Sequence, residues 1–89
     1  MEERTVIGGF AIVIVDKGFV FVGDTEITED WCVIVNAFCI RKWGTTKGLG
    51  ELALDGNNSN TVLDNTGTVR IPKNSLILTI DTEKTKWVY

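Results

Sequence analysis

The chain has 89 residues, enough for one domain, 1–89, with a modest core. Its net charge is −3 and it carries no basic stripe, which weighs against nucleic acid as the main partner, because phosphate contacts supply most of that affinity. Apolar residues make up 44%, with three Trp and four Phe, more than one small core easily covers, so a homo-oligomer is expected.

Phe10–Val15 is rich in β-branched residues, Asp16-Lys17-Gly18 is a turn with a glycine available for positive φ, and Phe19–Val22 follows. The segment predicts a β-hairpin. Alternation puts Phe10, Ile12 and Ile14 on one face and Ala11, Val13 and Val15 on the other, so both faces are apolar. Such a hairpin is expected to be covered on both sides or to form an interface.

Gly23–Glu26 reads as a turn or acidic loop leading to Trp31. Asp24, Glu26, Thr28 and Asp30 alternate as at the start of a calcium loop. The required glycine at the sixth position and glutamate at the twelfth are missing, so no metal site is expected. Cys32–Val35 and Phe38–Arg41 are predicted strands with a turn or bulge at Asn36-Ala37. Cys32 and Cys39 lie in apolar sequence without a second pair, and a buried, reduced state is expected for both.

A short helix is predicted from about Gly48 to Asp55, with Leu49, Leu52 and Ala53 on one stripe. Thr45 or Thr46 is the expected cap, Glu51 suits the first turn, and Gly56 stops the helix. Asn57–Asn60 is a polar loop, Leu63–Gly67 a turn, and Thr68–Ile71 and Leu76–Ile80 are strands separated by Pro72–Ser75. Trp87 is expected to pin the tail to the body. The reading is an α+β domain, mostly β: a small antiparallel sheet or barrel-like arrangement of about six strands with one short helix.

Several motifs resemble those of a group of small tailed-phage and prophage proteins. They are Ala37-x-x-Ile40-Arg41-x-Trp43-Gly44, Leu49-x-Glu51-Leu52-Ala53 with Gly56, Thr61–Asp64, Gly67–Pro72 and Lys86-Trp87. The resemblance runs from about Phe19 onward and rests on residues of structural type. It implies an accessory role in the cytoplasm of an infected bacterium, and it brings no catalytic residues with it.

The chain contains no histidine, which removes the commonest general base, so no catalytic residue and no enzyme activity is expected. The charged, mainly acidic opening Met1–Arg4 is unlike a signal peptide, and no segment is long enough to span a bilayer as a helix, so a soluble cytoplasmic protein without a membrane partner is expected. Gly48-Leu49-Gly50-Glu51-Leu52-Ala53 matches the dinucleotide fingerprint in letters only. Arg70 stands where its acidic residue belongs, and no crossover helix follows.

A less specific site is expected at the helix start. Gly48 allows close approach, Thr45, Thr46 and Lys47 add hydroxyls and a cation, and Arg41 and Trp43 add a guanidinium and a stacking face. No cofactor is expected. The functional expectation is a non-enzymatic phage counter-defence protein. It would sequester a small anionic host ligand, such as a nucleotide immune signal, in pockets of a homo-oligomer. The alternative is a phage inhibitor that blocks a host protein through an apolar or edge-strand surface.

Overall fold

The computed structural model describes residues 7–88; the charged opening Met1–Arg4, Val6 and Tyr89 lie outside the described residues. Five strands form one antiparallel sheet: β1 (Ile7–Val15), β2 (Val20–Ile27), β3 (Trp31–Lys42), β4 (Val62–Pro72) and β5 (Leu76–Asp81). One helix, α1 (Leu49–Asp55), lies between β3 and β4. The sheet order is β4-β3-β2-β1-β5, so the four-strand meander is followed by a last strand that returns to the first. The sheet is barrel-like but not closed.

The connection from β4 to β5 determines the shape. These strands occupy opposite edges of the sheet, yet only the turn Lys73–Ser75 joins them. In a flat sheet the edges would lie four spacings apart, about 19 Å at ~4.8 Å per strand. Four Cα steps from Pro72 to Leu76 reach at most about 14 Å, and less in a 3₁₀ turn. The sheet therefore has to curl.

The curl buries one face of the sheet against itself. Val13, Val15, Phe21, Ile27, Cys32, Ile34, Ala37 and Ile71 form the cluster inside it. On the opposite face Ile12, Val20, Val22 and Ile40 pack against Leu52 and Ala53 of α1 and against Trp87. Both faces of the β1–β2 hairpin are thus covered within one chain, with Ile12 and Val13 each fully buried.

Several boundaries differ from the sequence expectation. Strands number five because Cys32–Val35 and Phe38–Arg41 are one strand. Asn36, at φ 52°, is a bulge that shifts the β2 and β4 registers and flips the alternation, so Cys32, Ile34, Ala37 and Cys39 all serve the same cluster. Gly23–Glu26 is not a loop but part of β2, because β1 pairs with it as far as Ile7↔Ile27. Leu63–Gly67 is likewise inside β4, where Gly67 at φ 73° takes up a second bulge. The turn at Asp16–Gly18 has two left-handed residues, Lys17 and Gly18.

The helix has only seven residues and depends on tertiary contacts. Trp87 shares the cluster that holds Leu52 and Ala53. Its ring meets Phe10 edge-on with centroids 6.1 Å apart, and its indole N–H donates to the Thr82 hydroxyl at 3.0 Å. That hydroxyl donates to the Ala53 carbonyl at 2.6 Å, and the Lys86 ammonium donates to the Leu54 carbonyl at 2.9 Å. A cation on the last carbonyls also suits the helix dipole.

Gly56 ends α1 at φ 82°, its N–H donating to Leu52 O at 2.8 Å. A side chain there would overlap the Lys86 carbonyl. Gly56→Ala is therefore expected to lower the unfolding free energy by about 2 kcal/mol or more, seen as a lower denaturation midpoint at unchanged m-value. Gly50→Ala, inside the helix with open space around it, is expected to stabilise by about 0.5–1 kcal/mol. Urea titration of both variants checks the pair.

Candidate functional site

The six residues expected to bind a ligand lie on one continuous stretch, from the end of β3 through the loop to the start of α1. The structure divides them into two groups. Thr45, Thr46, Lys47 and Gly48 form a loop that satisfies itself, whereas Arg41 belongs to the sheet. Trp43 stands between them, 41% exposed, with a ring carbon 3.8 Å from where a Gly48 side chain would begin.

In the loop, the Thr45 hydroxyl donates to the Gly48 carbonyl at 3.0 Å. The Lys47 N–H donates to Glu51 Oε1 at 3.1 Å, and the Thr46 hydroxyl reaches the same oxygen at 3.5 Å. Neither threonine caps the helix; Gly48, at φ 82°, is the N-cap, and Glu51 reaches back as the acid of a capping box does. The carboxylate of Glu51 thus lies against the loop just before the helix start. The loop is further tied by the Thr61 hydroxyl to the Trp43 carbonyl at 2.7 Å and by the Asn58 amide to the Gly44 carbonyl at 2.9 Å.

Arg41 is different. The β3–β4 ladder slips between Ile40↔Leu63 and Lys42↔Val62, leaving Arg41 as the extra residue, and a bulge of this kind re-aims a side chain. Its guanidinium meets Asp64 side-on, Nε to Oδ2 at 2.7 Å and Nη2 to Oδ1 at 3.3 Å. The pair is solvent-exposed, with side chains 66% and 46% accessible. Asp64 lies directly opposite Cys39, so the pair sits over the curled face beyond the inner cluster.

The hydrogen bond from Arg41 is the main influence holding the Asp64 carboxyl below its ordinary value, and the same bond raises the Arg41 value. Burial pushes the Cys39 thiol up, as does the Asp64 charge, while Arg41 and a Val20 backbone hydrogen bond oppose them. Burial also pushes up the Cys32 thiol.

Two residues of this region escape sequence reasoning. Asp64 is 23 positions from Arg41, and only the ladder brings them together. Phe19 reads as ordinary hairpin core, yet it is 54% exposed and its ring lies parallel to Phe21, centroids 6.2 Å apart. A groove of about 260 Å³ opens beside the two rings, with Val15, Val69 and Ile71 among its walls.

Comparison with protein-family models, curated proteins and solved structures returns no match for this chain. Among the described residues, no helix is long and apolar enough to cross a membrane.

Because Asp64 has a depressed folded-state value, the pair's contribution is present above the ordinary carboxylate pKa and is lost as pH falls through the depressed one. Asp64→Asn is expected to lower the melting temperature slightly at neutral pH, and the difference should shrink as pH falls through and below the ordinary carboxylate range. Added salt should shrink the neutral-pH difference. Thermal melts across pH, wild type against variant, check the sign.

Proposed function

We propose that the protein binds a small anionic ligand and holds it unchanged, acting as a homo-oligomeric sequestering protein in the cytoplasm of a phage-infected bacterium. The observation that carries the reading is Arg41, an exposed guanidinium fixed on a rigid sheet with Trp43 two residues away. A guanidinium in fixed orientation suits phosphate and carboxylate groups, and an exposed indole suits a flat ring. A binding role rather than catalysis is supported by the lack of histidine in the chain and by two thiols held protonated by burial. A nucleotide immune signal of the host has both an anionic group and a flat ring, and removing it from solution requires no chemistry. Counter-defence is the role that such removal would serve.

A second reading has its own observation. Ile77 and Leu78 are exposed on β5, whose outer edge has no neighbouring strand among the described residues. A host protein that adds a strand there would be blocked rather than a metabolite sequestered.

Native mass spectrometry of protein incubated with a bacterial nucleotide extract tests the first reading. An oligomer that gains a nucleotide-sized mass, and releases that compound intact on denaturation, is expected. A cleaved product, or affinity unchanged in the double variant Arg41→Ala with Lys47→Ala, would contradict it. A bare species that instead captures one host protein in stoichiometric amount would support the second reading.

A further inference from the structure

The contact between Arg41 and Asp64 uses one edge of the guanidinium. Nε and Nη2 donate to the two carboxylate oxygens. An arginine has five N–H donors, so the Nη1 group and the second Nη2 hydrogen remain, and together they form the end-on fork that matches two oxygens of a phosphate. An exposed arginine would otherwise sample many rotamers, and holding it in one lowers the ordering cost of binding.

The strand registers indicate what lies next to that fork. Val13, Phe21, Cys39 and Asp64 form a row across β1, β2, β3 and β4 through the pairs Val13↔Phe21, Phe21↔Cys39 and Cys39↔Asp64. The β2–β3 pairs end at Phe21↔Cys39; Phe19, just before β2, precedes Phe21 by two residues and Arg41 follows Cys39 by two, so both lie beyond that pair at the same end of the sheet. Phe19 stacks on Phe21 and keeps half its surface exposed, and the groove beside it gives apolar room. One end of the sheet thus carries an aromatic surface at the entry to β2 and an oriented guanidinium near the end of β3.

We propose that Phe19 is the stacking platform and Asp64 the positioning residue of the Arg41 site, which takes a molecule carrying a flat aromatic ring and a phosphate. This rests on the reading that Arg41 serves an anionic ligand. Asp64 does not touch the ligand; it holds the guanidinium so that the open fork faces outward.

The test is calorimetric titration of the full chain at low salt with three probes: AMP, adenosine and inorganic phosphate. Wild type is expected to bind AMP more tightly than either fragment. Phe19→Ala should weaken AMP about tenfold and leave phosphate unchanged, with Phe19→Trp restoring binding. Asp64→Asn should weaken AMP and phosphate several-fold, with Asp64→Glu recovering part of the loss.

The Arg41 Nε–H resonance gives a readout that a merely structural role would not move. It should be sharp in wild type, shift with AMP and phosphate but not with adenosine, and broaden in Asp64→Asn. AMP binding as tight or tighter in Asp64→Asn would overturn the positioning role, because the carboxylate would then be a competitor for Arg41. Unchanged AMP binding in Phe19→Ala would overturn the platform. Those two failures leave the anion reading intact, whereas wild type that binds none of the probes, or Arg41→Ala that binds AMP normally, overturns both.

Discussion

The three-residue connection between β4 and β5 is the constraint on which the rest of the structure depends. A five-stranded sheet whose edge strands are joined by Lys73–Ser75 cannot lie flat, since the reach of the link is shorter than the width of the sheet. The curl it requires gives the first cluster its inside and leaves the other face of the hairpin for α1 and the tail. A chain of this size achieves two buried faces without a second layer of strands, which is why Ile12 and Val13, neighbours in sequence, are both shielded from water.

The helix-start loop and Arg41 are held in different ways. The helix start, with Gly48 as its cap, has the local features of an anion site, but its own Glu51 carboxylate meets the Lys47 N–H. That loop is best understood as a brace between β3 and β4, closed by Thr61 and Asn58. Arg41 lies outside this closure, as the extra residue of a bulge, and Asp64 takes one side of its guanidinium and leaves the other. An exposed ion pair contributes little to stability. What the pair does is hold one edge of the guanidinium in a fixed orientation.

Much of the fold was legible from the residues. The alternation of Phe10–Val15 over both faces, the helix stripe, Gly56 as stop and Trp87 as anchor all follow from local chemistry, and the structure contains each of them. The bulges were not legible in detail. Asn36-Ala37 reads equally as turn or bulge, and the polar Leu63–Gly67 run reads as a turn, because the ladder partners that keep such residues in a strand are distant in sequence. The same limit applied to the site. Arg41 was visible as a cation at a strand end, but its partner Asp64, 23 positions away, comes beside it only through the β3–β4 ladder.

The most direct test of the account is hydrogen exchange at the edge strands after three Gly/Ser residues are inserted into the link between Asn74 and Ser75. Doubling the link costs only about 0.6 kcal/mol in closure entropy, a factor of about three in protection. If the reach of the link sets the curl, amides of Val69–Ile71 and Leu78–Ile80 should lose well over that factor while the β1–β2 and β2–β3 ladders lose less. A uniform loss of threefold or smaller would contradict the account and place the origin of the curl in side-chain packing alone.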